Sequence, residues 1–297
     1  MPSPFKTPRG KAVYLDTYEA ALNLWPVSYE EMQIPSRFGM THVVVSGPKD
    51  APPLVLLHGY MATLLMWSPN IVDFSMEFRV YAIDTMGQPS KSIPNEPVRD
   101  AADYVAWLNM TLDGLHLDRI SLLGMSFGGW LALKYTLAAS ERVQKLVLLS
   151  PGGFLSIAKQ FSLRGMLMVF FPTRFTVNTF MHWLGFNLSA PDAQLVCNLM
   201  YLGMKHFQMA QETLRVVPNP LSDQELRGIH APVLLLMGEH DVIYHSETAL
   251  ARARLLIPNF EGDLVPRTSH DMCFSQNRIV NARILEFLLD NRRNSAY

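Results

Sequence analysis

The most informative stretch of the sequence is 124–128, which reads Gly-Met-Ser-Phe-Gly. An apolar run of strand type, 120–123, precedes it, and a helix-like stretch, 129–135, follows it. A serine at the tip of a sharp strand-to-helix turn needs small neighbours, because its backbone is strained. The turn holds the hydroxyl outward, and the helix start aims free N–H groups at whatever the serine attacks. The pattern predicts that Ser126 is a nucleophile; the alternative is a tight turn with a solvated serine.

A serine hydroxyl needs a base to take its proton, and that base needs a third group to orient it. His270 is the candidate base among nine histidines, since it lies in a loop between a late strand and the final helix. Such a loop reaches the carboxyl edge of a parallel sheet, where Ser126 is also expected. Asp241 follows the apolar run 233–236 and is the candidate acid. Glu239 competes for that role, and a surface position is the alternative for each side chain.

An acyl-transfer intermediate carries an oxyanion that needs hydrogen-bond donors, each contributing about 3–4 kcal/mol. The backbone N–H of Phe127, next to the nucleophile, is the first predicted donor. The second is the N–H of Tyr60, in the loop after the apolar run 54–57, where Gly59 lets the backbone turn. His58 is predicted to be structural and to bond to loop backbone, with a catalytic base as the alternative.

The composition excludes several classes of protein. The chain has 297 residues, of which 49% are hydrophobic and 17% charged, and this composition is typical of a globular protein. Its net charge is -1, and it lacks the long runs of one charge that nucleic-acid-binding proteins carry. No segment approaches the about 18 apolar residues of a membrane span, and no signal peptide is recognisable at the N-terminus. The two cysteines fit a reducing compartment, or are simply two buried thiols. We therefore expect no stable membrane insertion and a cytoplasmic location.

Neither a metal nor a cofactor is expected. His240 and His245 lie near Asp241 in sequence, and His-Asp-His clusters can bind zinc. No cysteine or second carboxylate completes a ligand set there, so the sequence favours a site without metal.

Strand-like and helix-like stretches alternate along most of the chain. A helical pattern at 13–24 and a hairpin from 31 to 45 come first. Apolar runs typical of buried strands follow at 54–57, 79–83, 119–125, 143–149, 232–237 and 262–265. Helical patterns cover 101–115, 126–139 and 277–289. This alternation predicts an α/β fold with a mostly parallel central sheet flanked by helices.

The segment 153–229 breaks the alternation and is rich in Met, Phe and Leu. We predict a core formed by 1–152 and 230–297, with 153–229 as an inserted helical cap. Such a cap would roof the serine with an adaptable apolar pocket. The candidate pocket residues are Met66, Trp67, Phe154, Met166, Phe170 and Trp183, with ordinary core packing as the alternative for each. An amphipathic membrane contact by 161–186 is the alternative to a lid.

The chain resembles the α/β-hydrolase family over nearly its whole length, in motifs that occur in the family's order: Leu57-His58-Gly59, Asp84-x-x-Gly87, Gly124-x-Ser126-x-Gly128-Gly129, Gly238-x-x-Asp241 and Ser269-His270. Two further stretches, 24–27 and 37–48, resemble bacterial carboxylesterases of the naproxen-esterase type. The resemblance implies an α/β-hydrolase fold and hydrolysis of esters with a bulky or aromatic acyl part. Two departures bear on the pocket shape: Ser269 replaces a common glycine, and Gln88-Pro89 interrupts the family's turn after Asp84.

The resulting hypothesis is a serine carboxylesterase for a small-molecule ester with apolar groups. Ser126 would attack the carbonyl carbon, His270 would move the proton, and Asp241 would hold the imidazole. A lactonase, an amidase or a hydrolase of carbon–carbon bonds would use the same three residues. A non-catalytic ligand-binding receptor is the alternative from another class. The sequence leaves the oligomeric state open.

Overall fold

The structure is a computed structural model that describes residues 3–156 and 158–290. Within these ranges the chain forms nine strands, which are β1 (Tyr29–Ser36), β2 (Gly39–Ser46), β3 (Pro53–Leu57), β4 (Arg79–Ile83), β5 (Ile93–Pro94), β6 (Ile120–Met125), β7 (Val143–Leu149), β8 (Val233–Gly238) and β9 (Phe260–Val265). Their order in the sheet is β1-β2-β4-β3-β6-β7-β8-β9, and β5 pairs with β2.

Strands β4, β3, β6, β7, β8 and β9 pair parallel to one another in this order, whereas β2 pairs antiparallel with β1, β4 and β5. β3, β6, β7 and β8 are buried over nearly their whole length, as expected for strands covered by helices on both faces. The register pairs Leu57 with Gly124 and Met125 with Leu149. The loops that follow β3, β6 and β7 therefore leave the same edge of the sheet.

Twelve α-helices lie in the described ranges, and they are α1 (Pro8–Leu22), α2 (Ser68–Glu77), α3 (Ala101–Gly114), α4 (Phe127–Ala138), α5 (Lys159–Phe170), α6 (Arg174–Trp183), α7 (Pro191–His206), α8 (Gln211–Leu214), α9 (Asp223–Arg227), α10 (Ser246–Leu256), α11 (Met272–Ser275) and α12 (Asn277–Leu289). Helices α5 to α9 all fall between β7 and β8. That segment is helical as predicted, while its role as a separate cap domain stays a prediction. No helix in the described ranges has both the length and the apolar character to cross a membrane.

The N-terminal segment packs on α7, which lies inside the insert between β7 and β8. The Lys6 N–H donates to the carbonyl of His206 at 2.8 Å, and the Gln208 N–H donates to the carbonyl of Pro4 at 2.7 Å. Gly10 lies so close to the His206 ring that a side chain in its place would collide with it. The insert is thus held by α1 as well as by its own two connections to the sheet.

The predicted strands agree closely with β3, β4 and β6 to β9, and the predicted α/β architecture is confirmed. The first helix begins earlier than its apolar pattern indicates. Thr7 accepts a hydrogen bond from the Gly10 N–H at 3.0 Å, and Pro8 occupies the first turn, so capping and not apolar spacing fixes the start.

Candidate active site

Ser126 connects β6 to α4 with φ 53° and ψ -112°, a strained conformation for a residue with a side chain. The backbone is held on both sides, because the Ser126 N–H donates to the carbonyl of Leu149 at 2.9 Å and the Ser126 carbonyl accepts from the Gly152 N–H at 3.0 Å. A Cβ atom on Gly124 would collide with the carbonyl of Gly128, and one on Gly128 would collide with the carbonyl of Leu57. The two glycines are therefore required by close backbone packing, as the sequence pattern predicts.

His270 and Asp241 form a buried pair. Nδ1 of His270 lies 2.9 Å from Oδ2 of Asp241, and the two side chains are 5% and 0% exposed. Oδ1 of Asp241 accepts from the N–H groups of Ile243 at 2.8 Å and Tyr244 at 3.3 Å. The backbone N–H of His270 donates to the carbonyl of Leu184, in the insert, at 3.1 Å. With Nδ1–H donated to the carboxylate, Nε2 carries the lone pair that a general base needs.

The Asp241 carboxyl is suited to stay ionised. Burial by itself would raise its pKa, but the charge and hydrogen bond of His270 and the Ile243 N–H outweigh that effect, so its pKa lies below the ordinary value. An ionised carboxylate at this position can stabilise an imidazolium on His270.

Ser126 and His270 border one cavity of about 520 Å³, together with Gly59 and Tyr60. Seven of the described residues that line it are methionines and four are phenylalanines, so its wall is apolar and adaptable. A depression of similar size, about 550 Å³, lies between α1 and α7 and touches neither Ser126 nor His270. Of these two cavities, the first is the one lined by both a candidate nucleophile and a candidate base, so we assign the candidate site to it.

Two of the six predicted pocket residues, Met66 and Met166, line this cavity. The prediction is corrected for the other four. Trp67 follows Met66 in a short 3-10 turn but is fully buried in the core and does not line the cavity, and Phe154 is buried in the core too. Phe170 ends α5 on its outer side and is exposed. Trp183 packs against the ring of Phe180 and under the guanidinium of Arg164, and does not itself line the cavity.

The two predicted oxyanion donors flank the nucleophile. A Cβ atom on Gly59 would lie 3.8 Å from the Cβ of Ser126, so the loop that carries Tyr60 approaches the serine closely. Phe127 is the first residue of α4, and the rings of Tyr60 and Phe127 are 5.6 Å apart. Within the described chain neither N–H group has a hydrogen-bond partner, so both are available. Their role toward an oxyanion stays a prediction.

His58 is engaged by backbone on both sides of its ring. Nδ1 lies 2.8 Å from the carbonyl of Gly59, and Nε2 accepts from the Thr85 N–H at 2.9 Å. Burial lowers the pKa of this histidine, which favours the neutral ring that these bonds need. The contacts are those of the structural role that the sequence predicts.

Gln88 is a functional candidate that the sequence analysis missed. Its side chain is buried, and Oε1 accepts from the Met61 N–H at 2.6 Å. Met61 has φ 58°, a left-handed conformation that is unfavourable for a residue with a side chain. Gln88 thus helps to hold the turn immediately after Tyr60. Its position in the interrupted family turn was the signal available in the sequence.

An ionic network centred on the buried Asp84 supports the turn that carries Met66. Oδ2 of Asp84 accepts from the Tyr18 hydroxyl at 2.7 Å and lies 2.9 Å from Nδ1 of His42, whose Nε2 lies 2.8 Å from Glu31. Oδ1 accepts from the Leu64 N–H at 3.0 Å, at the start of the turn that carries Met66 to the cavity. Burial would raise the pKa of Asp84, but His42 and the other donors hold it below its ordinary value.

His240 and His245 do not join Asp241 in a ligand set. The His240 ring is exposed and lies 3.7 Å from Glu239. Across residues 3–156 and 158–290, no three His, Cys, Asp or Glu side chains converge as a metal site requires.

Comparison with known proteins agrees with this architecture. The family model described as alpha/beta hydrolase fold matches residues 52–184. A Bacillus subtilis protein named uncharacterized carboxylesterase nap is 36% identical over 283 residues, which are 92% of this chain and 91% of that protein. Carboxylesterase YbfK of the same species is 34% identical over 288 residues, 93% of each chain.

A solved structure gives the same result in three dimensions. The crystal structure of naproxen esterase (carboxylesterase NP) from Bacillus subtilis matches with a TM-score of 0.89 and 33% identity, and covers 95% of this chain and 99% of that one. With the strand order, the strained serine turn and this similarity along nearly the whole sequence, the chain belongs to the α/β-hydrolase family.

Proposed function

We propose that the chain is a serine carboxylesterase that hydrolyses esters through an acyl-enzyme intermediate. The observation that carries the proposal is that Ser126 and His270 border one apolar cavity while His270 is paired with a buried carboxylate at 2.9 Å. A nucleophile, a base and an orienting acid are what acyl transfer requires. The similarity to proteins named carboxylesterase supports the choice of esters.

In the first half of the reaction, Oγ of Ser126 bonds to the ester carbonyl carbon while Nε2 of His270 takes the hydroxyl proton. The carbonyl oxygen becomes an oxyanion that accepts hydrogen bonds from the N–H groups of Tyr60 and Phe127. When the bond to the alkoxy oxygen breaks, His270 gives its proton to the leaving alcohol. Asp241 holds the tautomer and stabilises the imidazolium throughout.

In the second half, a water molecule attacks the acyl-enzyme while His270 takes one of its protons. The second tetrahedral intermediate collapses, the carboxylic acid is released, and the proton returns to Oγ of Ser126. The methionine and phenylalanine lining of the cavity supports a substrate with a bulky or aromatic acyl part, as does the similarity to naproxen esterase.

Three helices of the insert contribute cavity residues, namely Phe161 from α5, Phe180 from α6 and Met200 from α7. This supports our proposal that 153–229 is a cap over the site. The free thiols of Cys197 and Cys273 are buried, which fits our proposal of a cytoplasmic location.

A hydrolysis panel tests the proposed function. We expect aryl esters with bulky acyl groups to be turned over faster than matched lactones, amides and ring-cleavage diketones, because the cavity is apolar and the similar proteins are named carboxylesterases. A fluorophosphonate probe should label Ser126. Dominant lactone or amide turnover would change the substrate class, and failure of both turnover and labelling would leave a non-catalytic receptor.

Replacement of Gln88 with methionine is expected to lower kcat for an aryl ester about tenfold, with little change in KM. The substitution keeps the size of the side chain but leaves the buried Met61 N–H without an acceptor, which costs about 1–3 kcal/mol and loosens the loop that carries Tyr60. Gln88→Glu keeps an acceptor oxygen and is the matched control. Steady-state kinetics on the two variants decide the matter: unchanged kcat in Gln88→Met would mean that the contact does not position the donor.

A further inference from the structure

The outer side of the insert carries a cluster of exposed apolar side chains. Leu163, Leu167 and Phe170 recur at helical spacing on α5. Phe171 caps the end of α5, and Phe175 lies in the first turn of α6. These five side chains, which we call the α5–α6 face, are between 52% and 78% exposed. Soluble proteins seldom expose so concentrated an apolar surface unless it binds something.

The α5–α6 face is continuous with the substrate cavity. Met166 and Val169 lie on the same helix, are each about half exposed, and also line the cavity that contains Ser126. An apolar path therefore runs from the outer surface to the nucleophile. A molecule dissolved in an apolar phase against this face could enter the cavity without passing through bulk water.

The segment of chain that carries the α5–α6 face has basic but no acidic residues. The sequence contains no acidic residue between Glu141 and Asp192, whereas Lys159, Arg164 and Arg174 fall within that interval. The guanidinium of Arg164 lies 5.0 Å from the centre of the Trp183 ring, and that of Arg174 lies 4.8 Å from the centre of the Tyr201 ring. Within residues 3–156 and 158–290 neither guanidinium is paired with a carboxylate. Both positive charges are thus available to an anionic partner.

We propose that the α5–α6 face docks on an anionic lipid surface, from which the cavity takes up apolar esters. Apolar side chains bordered by cations are the combination that binds a lipid interface of negative charge. A second copy of the chain fits less well, because a symmetric contact would bring Arg164 and Arg174 of both copies together without an acidic partner. The source of the substrate in this proposal rests on the proposed esterase function, whereas the docking itself does not.

Vesicle flotation with the full chain tests the docking. We expect co-flotation with vesicles that contain phosphatidylglycerol, much weaker co-flotation with pure phosphatidylcholine, and loss of binding at about 1 M salt, where screening is nearly complete. The double variant Phe171→Glu, Phe175→Glu should bind the anionic vesicles about tenfold or more weakly. Leu255→Glu is the matched control, because Leu255 is 80% exposed on α10, outside the insert.

Three results would overturn the docking proposal: no flotation of the wild-type chain with anionic vesicles, equal flotation of the double variant, or a wild-type dimer that the double variant dissociates while vesicles bind neither protein. The last would assign the face to a second copy. Turnover of a water-soluble aryl ester should be the same in the double variant and the wild type, and it also reports folding. A chain that floats but hydrolyses no ester would contradict the proposed function alone.

Discussion

Replacement of Ser126 with alanine is expected to lower ester turnover by about 10⁴- to 10⁶-fold. Without Oγ, no acyl-enzyme can form, and His270 and Asp241 have no hydroxyl to activate. The residual rate would come from binding and from the two N–H donors alone. Steady-state turnover of an aryl ester measures the effect, and labelling by a fluorophosphonate should disappear with it.

The matched control for this variant is Ser162→Ala, because Ser162 lines the same cavity but lies on α5 and not at the strained turn. It should keep near-wild-type activity. The melting temperature of Ser126→Ala should also stay close to that of the wild type, since alanine keeps the Cβ atom and the same backbone. Near-wild-type turnover in Ser126→Ala would rule out the proposed nucleophile.

Replacement of Asp241 with asparagine is expected to lower kcat by about 10⁴-fold with little change in KM. The side-chain amide can face His270 with its N–H₂ group, which favours the tautomer that has its proton on Nε2. That tautomer cannot take the proton from Ser126. Glu239→Gln is the matched control, because it makes the same change at the neighbouring carboxylate, which hydrogen-bonds the Arg267 N–H at 2.8 Å instead. Equal losses in both variants would contradict the assignment of the acid.

The same substitution should change how stability depends on pH. The pKa of Asp241 is lower in the folded chain than in the unfolded chain, where it is about 3.9. The ionised carboxylate therefore stabilises the fold above that value, and this contribution is lost as pH falls through the lower folded pKa. As the pH is lowered from neutral, the free energy of unfolding measured with urea should fall less in Asp241→Asn than in the wild type. Parallel curves for the two proteins would speak against the paired state.

Local patterns were sufficient to predict the parallel strands and the serine turn. Continuous apolar runs such as 143–149 have few alternatives to a buried strand, and Gly124 and Gly128 reflect steric needs of the backbone itself. The contacts that depend on distant parts of the chain were not predictable in the same way. His42 lies on a hairpin strand, where polar side chains usually face solvent, yet it is buried and pairs with the buried Asp84 on one side of its ring and with Glu31 on the other.

The pocket was the least predictable part of the site for a related physical reason. Met66 and Trp67 are neighbours in sequence with similar apolar character, and only the direction of a short 3-10 turn sends one to the cavity and the other to the core. The role of Gln88 was not predicted, because its partner is a backbone N–H; the interrupted family turn marks the position of Gln88 but not what its side chain binds. Composition therefore indicates an apolar cap but not which side chains meet the substrate.

The packing of α1 on α7 has a consequence for how the molecule opens. Helix α7 is held by the N-terminal segment as well as by its own connections along the chain. It therefore cannot detach without breaking the hydrogen bonds that the Lys6 and Gln208 N–H groups donate. The N-terminal helix and the longest helix of the insert should then behave as one cooperative unit, with amide protons that exchange with solvent together. If the insert is the cap that we propose, access to Ser126 would depend on α5 and α6 more than on α7, which is anchored to the N-terminal segment.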